Sequence, residues 1–314
     1  AWSSTDFGFF TGGYSFLNVF FLMLIWGGLI LDRFGIRFTG KLATILMVGS
    51  TALEYYAMTG LAGADATLFG INEIFGYKTG VFVAFAGYSI FGVGAEVAGI
   101  TVSKIIAKWF KGKELATAMG VQVALARIGS QAGYAVAIPL ARAFGISTPV
   151  LLGLVLLLGG MIAFFIFAVM DKKLDKQMEA AAIAAGTEDE EEKFSFKDVK
   201  NILVNPGFWL IALLCVLFYS CVFPFQKFAS ELMIIKYGIN ENVAGTFAGL
   251  PALGALILTP VFGGFIDKRG KSASIMLLGS AMLICVHFIY AIPDINYWLV
   301  AIVLMIILGI AFSV

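Results

Sequence analysis

The sequence predicts an all-α integral membrane protein built from two related helical bundles, and three observations carry that prediction. Hydrophobic residues fill 60% of the 314 positions and charged ones only 13%, with a mean hydropathy of +0.95; soluble domains carry about 25% charge. The shortfall is concentrated, because the windows 7–31, 143–170, 201–226 and 242–266 hold no Asp, Glu, Lys or Arg. About 20 apolar residues at ~1.5 Å rise cross a ~30 Å hydrocarbon core, so each window is long enough to span a bilayer. The third observation is a polar turn pattern that occurs twice, once in each half of the chain.

Composition excludes a soluble enzyme, a disordered chain and a disulfide-stapled secreted domain. A net charge of +1 with one His offers no basic surface to nucleic acid. Cys215, Cys221 and Cys285 all fall inside apolar stretches, where a thiol acts as a small buried hydrophobe. No His and Cys cluster has metal-ligand spacing and no nucleophile stands at a readable distance from a base, so neither a metal, a cofactor nor an enzymatic activity is expected.

Nine apolar segments follow one another at 7–31, 42–63, 79–107, 115–141, 143–170, 206–235, 243–266, 272–293 and 296–314. Lipid leaves no partner for an unpaired backbone group, so each is expected to be a helix; a closed barrel would need short alternating strands instead. Alternate connections collect the basic residues. One set holds Arg33, Arg37, Lys41, Lys104, Lys108, Lys111, Lys113, Lys268, Arg269, Lys271 and six more between 171 and 200, whereas the other holds Lys78, Arg142, Lys227 and Lys236. The richer side is expected to be cytoplasmic.

The polar stretch 171–205, with its acidic run Glu188 to Glu192, divides the chain into a first bundle over 1–170 and a second over 206–314, and reads as a cytoplasmic linker. Ser195 and Asp198 could cap a short surface helix through Leu203, and Pro206 would restart the chain into the next span.

The repeated turn is Gly28, Asp32, Arg33, Gly35 and Arg37 in the first half and Gly263, Asp267, Lys268, Arg269 and Gly270 in the second, with Asp267 displaced from Asp32 by 235 residues. Repetition at one topological place means two homologous halves. With that offset, the chain is expected to cover spans 2 to 10 of twelve in two pseudo-symmetric six-helix bundles.

Residues 28–37 fit the pattern Gly-x-x-x-Asp-Arg-x-Gly-x-Arg in full and 263–271 fit it in weakened form, and in this the chain resembles the major facilitator superfamily. The resemblance implies alternating access and a conformational-gating role for Gly28, Asp32, Arg33, Gly35 and Arg37, repeated at Asp267, Arg269 and Gly270. Physically, Gly allows close helix approach and a tight turn, and Asp32 suits the N-terminus of a neighbouring helix. In the superfamily that neighbour is span 11.

A closer likeness lies in Trp109 to Glu114 and in Ala126, Arg127, Gly129 and Ser130, which resemble the lysosomal dipeptide uniporters of the superfamily and their bacterial relatives. Tyr88 stands where the superfamily's span 4 usually carries Arg, ahead of Gly92 and Gly94. That branch holds the two ends of a peptide with an acidic residue on span 4 and a basic one on span 5, which match Glu96 and Arg127.

Helix geometry supports the pair independently. Glu96 lies 16 residues before Gly112 and Arg127 lies 15 after it, so with a turn at Gly112 both sit about 23 Å from it at ~1.5 Å per residue. Charges at that depth cost at least ~2.5–3.5 kcal/mol each and should face the protein interior. Three readings stay open: a structural ion pair between spans 4 and 5, a zwitterion clamp with Arg127 on a carboxylate and Glu96 on an ammonium, and Glu96 as a proton carrier. The Arg127 face continues through Ser130 or Gln131 to Tyr134, and the Glu96 face through Gly92 and Ser103, a polar stripe on each helix; on the span 206–235, Tyr219 and Gln226 are candidate cavity liners.

Other polar residues in spans read as structural. Glu54 is expected to make a helix-to-helix hydrogen bond, His287 to be a satisfied structural His, and Lys227 with Glu231 to form a rim pair. Gly264 to Ser272 misses phosphate-loop spacing by one residue and follows a span instead of a strand.

The expected function is transport of a small zwitterion, a dipeptide or amino-acid-like solute, by a monomer in the lipid bilayer. A self-neutralising clamp needs no coupling ion, so uniport is permitted. A symporter of an organic anion, with a proton as partner, is the alternative within transport, and a non-transporting scaffold or sensor is the alternative outside it. No Asn-x-Ser/Thr sequon occurs, which favours a bacterial plasma membrane over a lysosomal one.

Overall fold

The computed structural model describes residues 2–61, 63, 67–110, 115–185, 203–269 and 272–313, with backbone only for 116–117, 178–185, 260, 263–269 and 272. Its helices are α1 (Ser4–Phe20), α2 (Met23–Thr59), α3 (Thr79–Trp109), α4 (Leu115–Phe144), α5 (Thr148–Ala185), α6 (Pro206–Ile235), α7 (Glu241–Ala248), α8 (Leu250–Arg269), α9 (Ser272–Ala291) and α10 (Trp298–Ser313). By length and composition five spans qualify to cross a membrane, or six if the bent pair α1 and α2 counts as one. The chain forms two compact units, 1–115 with 147–196, and 116–146 with 197–314.

In the first unit, Ser3 and Asp6 start α1 through a capping box: Ser3 Oγ accepts from Asp6 N at 3.1 Å and Asp6 Oδ2 from Ser3 N at 2.8 Å. The segment expected as one span over 7–31 breaks at Leu22, which adopts φ 52°, and the two helices meet at a 59° bend. No Gly or Pro between positions 14 and 26 signals this break. The repeated turn is tighter than a loop. A single residue, Gly35 with φ 75° and ψ 173°, interrupts otherwise continuous helix, a conformation open to a residue without Cβ.

Between α2 and α3 lies a two-stranded antiparallel hairpin, Glu73–Ile74 with Tyr77–Lys78, which the sequence reading did not anticipate. Its central residues Phe75 (φ 51°) and Gly76 (φ 80°) both have positive φ, as a primed hairpin turn requires.

Small residues bring α3 against its neighbours, as is usual for membrane helices. A Cβ on Gly94 would lie 3.0 Å from the Ala43 carbonyl oxygen of α2, and one on Gly92 would collide with the Tyr14 carbonyl of α1. A buried cluster of Ala57, Leu61, Val83 and Ala84 fills the far end of α2 and α3.

Helix α5 runs 15 residues past the expected end of its span, to Ala185, into the segment read as linker. Polar anchoring at its exit explains the extension. The Asp171 side chain, 0% exposed, accepts from Lys108 Nζ at 2.8 Å, Trp109 Nε1 at 3.0 Å and Arg37 at 3.4 Å, and Asp175 accepts from Arg37 at 2.7 Å and pairs with Lys108. The short helix expected to be capped by Ser195 lies outside the described residues.

The second unit contains α4 with α6 to α10, so the contact grouping does not follow the expected chain-order boundaries. Asn205 caps α6 by accepting from Gly207 N at 2.9 Å, with Pro206 at the first helical position. The apolar segment 243–266 is two helices, because α7 ends at Gly249 and Pro251 sits in the first turn of α8. Lys236 Nζ donates to the carbonyls of Tyr290 and Ile292 at 2.6 and 2.7 Å, satisfying the end of α9. Val222, Ala229, Met233, Ala244, Val286, Met305 and Leu308 form the core.

Helix α4 is fastened to α7 along one face. Gln131 Nε2 donates to the Thr246 carbonyl at 3.4 Å, Arg142 donates to Asn242 Oδ1 at 3.2 Å, and Arg142 also pairs with Glu241. Gly245 and Gly249 of α7 present no side chain to Tyr134 and Gln131.

Candidate solute-binding site

Glu96 lies on α3 in the first unit, partly buried, and its Oε1 accepts a hydrogen bond from the Tyr14 hydroxyl at 2.8 Å. The Tyr14 ring is held by Tyr88 and Phe91, with centroids 5.6 and 6.4 Å away. Tyr88, the residue in the place of a basic one, thus packs the partner of Glu96. Sequence reasoning missed Tyr14, since 82 residues separate it from Glu96 and helical spacing links only near neighbours.

Arg127 lies on α4 in the second unit. Its guanidinium carbon sits 4.7 Å from the centroid of the Phe312 ring on α10, within cation–π range. Phe312 also borders a cavity of about 230 Å³ with Phe218, Tyr219, Met276 and Ser280. Tyr219, expected as a liner, is therefore at a cavity wall, stacked on Phe223 at 5.0 Å. Gln131 and Tyr134 are turned toward neighbouring helices: Tyr134 donates to the backbone carbonyl of Gln226 at 3.4 Å, which is the contact the structure gives Gln226. Ser130 and Ser103 each donate to a carbonyl of their own helix at 3.0 Å. The connection at Gly112 lies outside the described residues.

The first copy of the repeated turn is tied down within its unit. Asp32 accepts from Lys104 Nζ at 2.9 Å, Arg33 lies 5.6 Å over Phe34, Arg37 joins the Asp171 network, and Gly35 makes the turn. Gly28 does not mark a close approach: a Cβ there would meet nothing within 4 Å, whereas one on Gly27 would run into Val97. In the second copy, the side chains of Asp267 and Arg269 and all of Gly270 lie outside the described residues.

Glu54 is buried at 7% exposure against Gly87, and its Oε1 has no hydrogen-bond partner, so the expected helix-to-helix bond is not made through that oxygen. His287 Nδ1 bonds the Leu283 carbonyl at 2.9 Å and its ring meets Phe225 edge-on, while Nε2 is buried without a partner. Among the described residues no group of three or more His, Cys, Asp or Glu could hold a metal.

Comparison with known proteins places this geometry in a wider setting. A lysosomal dipeptide transporter, MFSD1, from Gallus gallus is 31% identical over 72% of this chain and 51% of its own length. The protein of the same name from Homo sapiens is 27% identical over 99% of this chain and 63% of its own. The chain thus spans between half and two-thirds of the relatives it matches. Among solved structures, the xylose transporter XylE from E. coli in a partially occluded, inward-open conformation shares the fold, with a TM-score of 0.60 at 16% identity over 98% of this chain and 74% of that one. The family model described as Major Facilitator Superfamily matches residues 1–314, and with the whole sequence inside that match the chain belongs to the Major Facilitator Superfamily.

Proposed function

We propose that the protein is a multi-pass carrier, not an enzyme, that moves small zwitterions of the dipeptide class by alternating access, with Glu96 taking the ammonium and Arg127 the carboxylate. The observation that carries the reading is that each charge is held by an aromatic partner, Glu96 by the Tyr14 hydroxyl and Arg127 by the Phe312 ring. Neither partner neutralises the charge it holds. Both groups keep the sign needed for opposite ends of a zwitterion, and a planar guanidinium fork suits a carboxylate. The MFSD1 relatives, named as dipeptide transporters, support the solute class, and their lysosomal name favours that membrane over a plasma membrane. The carrier works as a monomer and as a uniporter, since an empty clamp of opposite charges needs no coupling ion.

The test is thermal stabilisation of the purified full-length protein by dipeptides, single amino acids, organic acids and sugars, for wild type and Arg127→Ala. A ligand that binds the native state raises the melting temperature by mass action. Dipeptides should stabilise the wild type and not the variant. Stabilisation only by organic anions at low pH would turn the assignment to a proton-coupled symporter, and no ligand at all would favour a scaffold.

A further inference from the structure

Helices α1 and α3 run parallel, because their contacts advance together along both chains. Phe9 stacks on Phe85 at 4.3 Å, Phe10 on Tyr88 at 4.8 Å, and a side chain at Gly92 would strike the backbone carbonyl of Tyr14. One turn beyond that crossing stand Asn18 on α1 and Glu96 on α3, each four residues on and on the same face as the residue before it. Asn18 is therefore level with Glu96, and the Tyr14 hydroxyl reaches along the same direction to donate to Glu96 Oε1 at 2.8 Å.

The hydrogen bonds around this level leave acceptors in excess. Asn18 commits one of its two Nδ2 hydrogens to the Tyr14 carbonyl at 3.3 Å and leaves Oδ1 buried with no partner. Tyr14 commits its proton to Glu96, so its hydroxyl oxygen can only accept. A buried acceptor without a donor is costly in an empty site and becomes favourable when a donor arrives. A primary ammonium has three N–H donors and no acceptor. The Glu96 carboxylate, the Tyr14 hydroxyl oxygen and Asn18 Oδ1 match that set in number and in sign.

We infer that Tyr14, Asn18 and Glu96 together form a binding site for a primary ammonium group, with α1 supplying two of its three acceptors. The inference rests on the reading of Glu96 as the amine-binding residue and adds to it the donor count: the site distinguishes three N–H groups from two at equal charge. Tyr88 and Phe91 pack against the Tyr14 ring.

The experiment uses the purified full-length protein, titrated with Gly-Ala and with sarcosyl-alanine, which keeps the positive charge but has one N–H fewer, and reads affinity from thermal shifts. Wild type should prefer Gly-Ala by roughly tenfold, the scale of one hydrogen bond to a charged group. Tyr14→Phe and Asn18→Leu should each weaken Gly-Ala about tenfold and narrow that preference, whereas a structural role would weaken both peptides equally. If Asn18→Leu lowers the ligand-free melting temperature, Asn18→Ala takes its place. An unchanged preference in both variants, with binding lost in Glu96→Gln, overturns the three-residue site and leaves the Glu96 reading standing. Wild-type binding by Glu96→Gln overturns that reading itself.

Discussion

The guanidinium of Arg127 stacks over the ring of Phe312, 4.7 Å from its centroid, and the same ring is part of the wall of the cavity beside Tyr219. A stacked guanidinium is held by its face and presents its N–H groups at the edge, where a carboxylate can meet two of them. Phe312→Leu should keep most of the apolar volume but remove the ring, weakening dipeptide binding about twofold to thirtyfold, since a cation–π contact contributes roughly 0.5–2 kcal/mol. Arg127→Lys, which keeps the charge and loses the fork, should cost more than Phe312→Leu. Wild-type affinity in Phe312→Leu, measured by the same dipeptide titration, would show that the stack does not position Arg127.

Two glycines on α3 differ only in what surrounds them. Gly92→Ala drives a methyl into the Tyr14 carbonyl and should destabilise the protein by about 1–3 kcal/mol, seen as a lower melting temperature. Gly99→Ala meets nothing within 4 Å and should be neutral or stabilising by up to ~1 kcal/mol, because Ala is the better helix former. Equal effects at both positions would mean that α1 and α3 are not in close approach.

The Asp171 network predicts unequal outcomes for two neighbouring carboxylates. Asp171 is fully buried and accepts from Lys108, Trp109 and Arg37, so Asp171→Ala removes three hydrogen bonds to one buried carboxylate and should cost roughly 1–3 kcal/mol. Asp175 is 39% exposed, and Asp175→Ala should cost less than about 1 kcal/mol. Limited proteolysis offers a second readout: loss of Asp171 should open the segment after position 171 to cleavage, and loss of Asp175 should not.

Glu54 carries a buried oxygen without a hydrogen-bond partner. Replacing a poorly matched buried polar group by an apolar one of similar shape is often neutral or stabilising. Glu54→Met should therefore hold or raise the melting temperature, and dipeptide binding should persist. A drop of several degrees would assign the carboxyl a partner that matters for folding.

Several features were legible before any coordinates. Pro206 marked the start of α6, and the charge-free windows marked α5 and α6 because burial in lipid leaves a composition signal that does not depend on partners. Gly35 was legible as a turn because only a residue without Cβ adopts its φ readily. The bend at Leu22 was not, since its left-handed φ falls on an ordinary residue with no Gly or Pro beside it to signal a break. The same holds for α5, whose continuation past 170 depends on Lys108 and Arg37, distant in the chain, arriving at Asp171. The close approach of helices at Gly27, where a Cβ would run into Val97, was not legible, because a repeat pattern fixes spacing and not which of two adjacent glycines faces the neighbouring helix.

By itself the sequence determined that this chain lives in lipid, that its two halves repeat, and that Glu96 and Arg127 are the charges in its spans most in need of explanation; these follow from hydrophobicity and helical period, which are local and additive along the chain. Tertiary structure alone decided their partners. Tyr14 reaches Glu96 because α1 and α3 run parallel with Gly92 at the crossing, Phe312 reaches Arg127 because α4 packs in the same unit as α10, and Asn18, one turn past the same crossing, keeps a buried oxygen without a partner. Hydrogen bonds and ring stacking act over a few ångströms, and which residues come that close depends on how helices far apart in sequence pack together.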